Sequence, residues 1–581
     1  MPEFDEPIDD YVSFFKDEHE RNVSDYFENL LKTSGVDEQE NIELNAQLRE
    51  LNQNVDSSTS SRGHWKFGRV AAIVAAVGLV GAAVALQGFY FLCILPAAGL
   101  VFLLIKKINP AISSLNEKVD SLTHDRDAKS NETWAQIAPL NDLYTWDMAT
   151  KLFMKSFPFI DFDLYISTDR LADLQNNYEL SPTFNDGRSM FVSQSGAFKG
   201  NPFVIARYKQ HWIGSKTYYG TLVIHWTETV RDAQGNWVNV QRTQTLTASV
   251  VKPFPEYHVG TTIVYGHETA PDLRFSRTPS NLSGLSDGLM NNWKKDHAVK
   301  KVEKQARKAI KSGDSGLTVM SNKEFEALFN ATDRDNEVEF RLLFTPLAQQ
   351  EMVKLLNDKS AGFGDDFAFS KNGMVNFVAP SHLSEISFDC DPGRFKAQEI
   401  AKAREFFNKY QNDFFKSVYF GFAPLWTIPI YREKRSIPLH GEESLDSSFW
   451  EHEAIANLMG QDHFKHPASV TENILKTSAH TSGPTKQVTV TAHGYEGIPR
   501  VDIIPMLGGD GRMHPVPVPW TEYISVSQDS TMLIGSISSR KHDDDSADDK
   551  LKSGWESELQ KRGISAENTF IRGAIAAAIL R

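Results

Sequence analysis

His452, Glu453, His463 and His466 form the best candidate metal constellation in the sequence. A zincin helix needs His-Glu-x-x-His, so that both imidazoles share one helical face and the glutamate serves as base. Ala456 stands where the second histidine belongs, and that motif fails. What remains is a looser set, His452, His463 and His466, of a type that holds zinc. The competing reading is structural, with histidines beside a helix anchored by Trp450. Gly508-Gly-Asp-Gly511 lacks the Lys-Ser/Thr and the helix start of a phosphate-binding loop, and it reads as a hairpin turn. A thiol nucleophile would need Cys390 beside a histidine such as His493, and nothing in the spacing brings them together. No catalytic residue and no cofactor is assigned.

The segment that must place everything else carries no charged side chain from Val70 to Ile105 and is interrupted at Gln87-Gly88. A hydrocarbon core of about 30 Å needs about 20 apolar residues, so one straight helix would overshoot. Two helices of about 17 residues, rising about 1.5 Å per residue, reach about 26 Å each. The pattern predicts a membrane hairpin turning at Gln87-Gly88, with its second helix over Phe89–Ile105. Arg62, Lys66 and Arg69 precede it and Lys106 and Lys107 follow it. Basic residues favour the cytoplasmic side, which puts both termini in the cytoplasm and the protein in the inner membrane as a multi-pass chain. Ala71, Ala75, Gly78, Ala82 and Ala85 form a small-residue stripe for close packing against the second helix or another copy of the chain. Ile73, Val77, Val80 and Val84 form a bulky stripe suited to lipid.

Short heptad seams flank the hairpin: Leu44, Leu48, Leu51 and Val55 before it, Ile112, Leu115, Val119 and Leu122 after it. A chain that turns back would let these seams zip antiparallel as a stalk. Ser-rich Asp56–Gly63 is expected to break the first seam from its membrane helix. Two short amphipathic helices are expected within Ile8–Leu31, stopped by Gly35. The net charge of −14 over 581 residues argues against a nucleic-acid partner. Two cysteines fit a reducing compartment.

The soluble body reads as helices followed by antiparallel β-sheet. Thr133–Leu174 looks helical. Thr217–Val230 and Trp237–Val251 read as a hairpin, with further strands at Phe203–Tyr208 and His258–Tyr265. Lys294, Lys295, Lys300, Lys301, Lys304, Arg307, Lys308 and Lys311 line a basic helix that could lie on anionic lipid, bind RNA or present a solvated face. Ser321–Glu324 reads as a capping box, Val338–Phe344 as a strand, and Thr345-Pro346 as a helix start. Phe367–Phe369 and Met374–Val378 read as a hairpin. Phe414–Tyr431 is apolar but broken by Pro424 and Pro429; it either packs on the β core or dips into the membrane interface. Strands are expected at Gln487–Ala492, Arg500–Met506, Val516–Tyr523 and Met532–Ile537, and a short apolar helix at Gly573–Leu580.

Phe325–Phe344, Thr345-Pro346, Tyr419, Ala423-Pro424-Leu425 and Ile428-Pro429, together with Gly200-Asn-Pro-Phe203, resemble a poorly characterised bacterial family that pairs a transmembrane hairpin with a cytoplasmic domain of unknown function. Trp450–Tyr523 looks like large uncharacterised membrane proteins of mollicutes. The resemblance implies a layout and transfers no functional residue. The sequence thus predicts an α+β membrane protein: a two-helix transmembrane hairpin with a short coiled-coil stalk, then a large body of antiparallel sheet and helices. The expected segments are 1–36, 37–63, 64–107, 108–130, 131–312, 313–436 and 437–581. The leading functional expectation is a membrane-anchored cytoplasmic scaffold that binds the bilayer and protein partners, with oligomerisation through the membrane and coiled-coil segments. The alternatives are a metal-dependent hydrolase around the three histidines and a lipid-binding, membrane-shaping protein.

Overall fold

The computed structural model describes residues 4–85, 90–280, 300, 304, 320–388, 390–435, 446–536, 547–563 and 569–580. The chain forms two units: Val23–Thr145 with Asp391–Gln411, and Met1–Asn22 with Trp146–Cys390 and Asn412–Arg581. Two of the four boundaries fall inside helices Lys16–Ser34 and Ile400–Trp426, and the other two, after Thr145 and after Cys390, fall between elements.

The helical unit is dominated by helix Glu38–Ala85, which packs along Tyr90–Leu103 and Asn109–Asn141. The packing is antiparallel: Asn41 near one start donates to Gln136 near the other end at 2.9 Å, and Gln136 donates to the Asp37 carbonyl at 2.9 Å. Leu44, Leu48 and Val55 are buried, as are Ile112 and Val119, so both heptad seams meet. The expected Ser-rich break is absent, because Asp56–Gly63 continues as helix. Ser57 donates back to the Asn54 carbonyl at 3.0 Å, and Ser58 is buried on the packed side. Packing against a partner helix overrides the weak helix preference of serine. Residues 391–411 close the foot of the stalk. Asn41 and Asn45 both donate to the Gln398 carbonyl at 3.0 Å, and Arg404 reaches Glu28 and Glu38 at 3.0 and 2.9 Å.

The β-rich unit holds two antiparallel sheets. The first contains β1 (Ile160–Phe162), β2 (Arg188–Phe198), β3 (Asn201–Arg231), β4 (Trp237–Gly266), β5 (Arg274–Arg277), β6 (Phe367–Asn372) and β7 (Val375–Pro380), in the order β1-β2-β3-β4-β7-β6-β5. The second contains β8 (Ile474–Ala479), β9 (Thr485–Leu507), β10 (Met513–Ser536), β11 (Thr569–Arg572) and β12 (Ile575–Leu580), in the order β11-β12-β10-β9-β8. Segments 131–312 and 313–436, read separately above, therefore contribute to one sheet.

Helix Phe449–Met459 lies between the sheets. Trp450 and Ala454 pack with Met190, Val204, Val264 and Val375 on one side. Ile455 and Ala456 pack with Val488, Val490, Met532 and Ile534 on the other. A helix with both sides covered is apolar around most of its circumference. Phe414–Tyr431 is buried nearly throughout and packs in the core, with Trp426 and Tyr419 in an aromatic cluster around Phe4, Phe157 and Phe198.

Several local expectations are corrected. Pro7–Ser34 is helical without interruption, its Tyr11–Phe15 stretch in π form, where two helices were expected; Gly35 follows at φ +66°. Thr133–Leu174 breaks after Asn141 into helix Met148–Ser156, β1 and helix Thr168–Tyr178. Asn322, not Ser321, caps the helix Lys323–Phe329, accepting from the Phe325 amide at 3.1 Å. Val338–Phe344 lies on helix Glu337–Leu343 and its end rather than on a strand. Asn336 caps that helix by accepting from Glu339 N at 3.2 Å, and Phe340 and Leu343, three apart, share the buried side. The four C-terminal strands merge pairwise into β9 and β10. Gly573–Leu580 is a turn and β12, not a helix. Ile575 and Ala577 face one core cluster, while Ala576 and Ala578 face another closed by Trp555 and Leu559. A strand covered on both faces loses its alternation and imitates a helix in sequence.

Candidate functional site

In the helical unit, two helices are long and apolar enough to cross a membrane, by length and composition. Their most apolar windows are only 6% and 11% buried, whereas the core helix of a water-soluble protein would be mostly buried. Val74, Val77 and Val80 on the first helix and Leu95, Phe102 and Ile105 on the second point outward. Each such side chain left in water forgoes about 1.5–3 kcal/mol of burial. Basic and aromatic residues mark the ends: Arg62, Trp65, Lys66, Phe67 and Arg69 on one helix, Lys106 and Lys107 in the π-helical turn Leu104–Ile108 on the other. Trp65 is of the residue type enriched at membrane–water boundaries, and the charge pattern alone did not single it out.

Between the two helices the contact does not use the expected stripe, which is left on the outer side. Ala76, Ala97, Leu104 and Ile112 are buried between the helices, with Ala72 and Leu79 partly covered. Ala71, Ala75 and Gly78 are exposed and Ala82 is half-buried; a Cβ built on Gly78 would meet nothing within 4 Å. The contact runs one residue further along, through alanine and leucine rather than glycine. The side chain of Ala85 and the Gln87-Gly88 turn lie outside the described residues. Of the basic run, Lys300 and Lys304 are helical and exposed; Lys294, Lys295, Lys301, Arg307, Lys308 and Lys311 lie outside the described residues.

His452, His463 and His466 do not converge. Among the described residues no three His, Cys, Asp or Glu side chains are placed to hold a metal ion. His452 is buried on helix Phe449–Met459, its Nε2 3.0 Å from Ser447 Oγ. Burial, reinforced by the Lys486 charge, pushes its pKa down to about 3, too low for a general base near neutral pH. His463 lies in the short turn after that helix, and His466 Nδ1 accepts from the Ala468 amide at 3.1 Å. The neighbouring carboxylates are tied into the core. Glu453 accepts from Asn185 Nδ2 at 2.9 Å, the Met190 amide at 3.1 Å and Lys476 Nζ at 2.9 Å. Glu451 accepts from Ser193 Oγ at 3.0 Å and pairs with Arg572 at 3.3 Å. Burial raises the pKa of both carboxyl groups. Their hydrogen bonds hold the two sheets to this helix.

The largest unforeseen feature is a four-stranded arm. β3 and β4 pair without interruption from Phe203–Tyr265 to Arg231–Trp237, where Asp232 and Gly235 (φ +88°) make the turn. β9 and β10 pair as continuously, ending at the Gly508–Gly511 turn, whose Asp510 bonds His514 at 2.9 Å. The distal halves stack face to face. Val516 and Val518 pack on Ile224, Leu246 and Ala248, with Ile504 and Met506 beside them. Lys252 pairs with Asp502 at 2.7 Å and lies 4.2 Å from the Trp520 ring centre. Gly220 marks a close approach of the two hairpins, since a Cβ there would overlap the Pro517 carbonyl.

The arm's two outer faces differ. Cross-strand pairs on the β3–β4 face include Thr221–Thr247, Val223–Thr245 and His225–Thr243. On the β9–β10 face they are Val501–Pro519, Ile503–Pro517, Pro505–Pro515 and Leu507–Met513, all exposed. The Pro-Val alternation of Pro515–Trp520, which by sequence suits an edge strand or an extended binding surface, lies on this hairpin with its prolines on the outer face.

Comparisons of the chain with family models, characterised proteins and solved structures find no match.

Where the arm leaves the body, a cleft of about 490 Å³ is lined by Asp186, His211, Tyr257, Lys476, His493 and Tyr495, among others. The His211 ring sits 5.2 Å from Tyr257 and 5.4 Å from Tyr495. Burial lowers the pKa of both histidines. Lys476 donates to the Asn185 and Arg188 carbonyls at 2.9 Å, which fixes its amine in the cleft wall. The recess offers aromatic walls and neutral imidazoles, a surface for recognition by stacking and hydrogen bonding.

Proposed function

We propose that this protein is a membrane-anchored scaffold. Its helical hairpin crosses the bilayer twice, both termini and the β-rich unit lie on the cytoplasmic side, and the arm presents its outer faces to protein partners. The observation that carries the reading is the outward apolar surface of the paired helices, bounded by Arg62, Lys66, Arg69, Lys106 and Lys107 and by Trp65. A bilayer satisfies that surface, and basic flanks at both outer ends favour a cytoplasmic location for them. The antiparallel stalk supports the same reading, because a chain that crosses and returns brings its two seams together on one side. The resemblance to hairpin-bearing bacterial proteins implies the same layout.

Alkaline carbonate extraction of membranes from expressing cells tests the anchor. The full chain is expected in the pellet. The triple variant Val74→Lys/Val77→Lys/Val80→Lys is expected in the supernatant, since each lysine near the bilayer centre costs about 2.5–3.5 kcal/mol on an insertion scale. Release of the unmodified chain by carbonate would overturn the proposal.

A further inference from the structure

We infer that the proline-rich outer face of β9–β10 is a self-association surface, on which a second copy of this chain stacks sheet against sheet. The inference goes beyond the scaffold reading and does not depend on membrane insertion.

Val501, Ile503, Leu507 and Met513 are each 57–63% exposed. Pro505, Pro515, Pro517 and Pro519 complete the face, also exposed. No charged side chain interrupts it, because Asp502, the nearest acid, points to the inner side and is held by Lys252 and Trp520. Monomeric proteins rarely leave so large an uncharged patch unfilled. Its area is on the order of 600 Å² per copy, so a symmetric pair would bury ~1,200 Å², the threshold of stable interfaces.

Three observations choose the occupant. Pro505 lies directly opposite Pro515, and two prolines cannot exchange hydrogen bonds. The odd-numbered positions of β10 therefore turn their backbone polar groups away from β9, towards the free edge. That edge has no N–H to offer at 515, 517 and 519, so it cannot accept an added strand. The outer edge of β9 keeps N–H groups at Val501 and Ile503 between Pro499 and Pro505, only two consecutive donors, so the face is the larger surface left for association. The chain carries a net charge of −14, so copies repel except where neither contributes charge, and this face meets that condition on both partners. Finally, the register of the face is free of bulges, so a two-fold operation superposes apolar rows on apolar rows.

Ile503 and Pro517 lie at the middle of the face and would sit near the two-fold axis. With the full chain in its membranes, Ile503→Cys is expected to give a disulfide-linked dimer on mild oxidation. The unmodified chain, with Cys93 and Cys390, and Val223→Cys on the opposite outer face are expected not to. By mass photometry in lipid nanodiscs, Ile503→Asp should weaken dimerisation at least tenfold. A mixture of Ile503→Asp with Ile503→Lys should restore it, which separates loss of the interface from loss of the fold. A monomeric unmodified chain, a dimer indifferent to Ile503→Asp, or Ile503→Cys cross-linking only to other proteins would each overturn the inference.

Discussion

Lys371 is the side chain whose removal tests the energetics of the β-rich unit most sharply. It sits on β6 at 2% exposure, donates to the Thr269 carbonyl at 3.0 Å and lies 5.7 Å from the Tyr431 ring centre. Burial pulls its pKa from 10.5 down to about 7, against a small opposing pull from Glu339. Nearby His267 falls to about 4, through burial first and the Lys371 charge second. The sign follows from proton counting. Below pH 7 the amine is charged in both states and the folded state bears the full desolvation penalty. From pH 7 to 10.5 the unfolded chain holds a proton that the folded chain lacks, so stability rises with pH across that window. At about 1.4 kcal/mol for each tenfold change in proton affinity, the ceiling of this contribution is about 5 kcal/mol. Lys371→Met keeps the stem and removes the amine, but leaves the Thr269 carbonyl short of a donor at about 1–3 kcal/mol. The net expectation is a stabilisation of about 1–3 kcal/mol at pH 7 that falls to zero between about pH 8 and 10 and turns into a destabilisation of up to about 2 kcal/mol at pH 10. Urea unfolding of the detergent-solubilised full chain, followed by tryptophan fluorescence at both pH values, measures it. A variant less stable than the unmodified chain at pH 7, or an unmodified chain that loses stability from pH 7 to 10, would refute the reasoning.

Two further outcomes follow from the packing. Gly220→Val should push β3 off the Pro517 backbone at a cost of about 1–3 kcal/mol or more. Amide exchange should then accelerate in 212–254 and 497–523 together, while helix Phe449–Met459 stays protected; exchange confined to one hairpin would contradict the stacked arm. The separation of His452, His463 and His466 predicts that metal analysis of the purified chain finds no stoichiometric zinc. One zinc per chain, lost in His463→Ala, would contradict that separation.

The legible parts of the fold were those written in local periodicity. The Leu44–Val55 and Ile112–Leu122 seams, the β3–β4 hairpin with its Asp-Ala-Gln-Gly turn, and the Thr345-Pro346 helix start all follow from side chains that face one environment. Elements covered on both faces were misread. The IAAAIL segment of β12 has no polar side to mark its period, and helix Phe449–Met459 hides its role as the inter-sheet core. Asp56–Gly63 looked like a break because serine disfavours isolated helices, while the long-range contact that fixes it is invisible to local spacing. At the candidate sites, the apolar run was plain, but its packing stripe was displaced: alanine occurs on every side of that helix, so small size alone could not choose one. The arm's outer faces were missed because β9 and β10 were each divided in two, which hid their shared register.

Labelling intact cells with a membrane-impermeant maleimide tests the proposed hairpin, which would cross the bilayer and keep the β-rich unit inside the cell. The full chain carries single added cysteines, either Gln87→Cys between the apolar helices or Thr229→Cys near the arm's exposed tip. Labelling of Gln87→Cys from outside, with Thr229→Cys labelled only after permeabilisation, is the predicted result. Labelling of Thr229→Cys in intact cells would contradict the account.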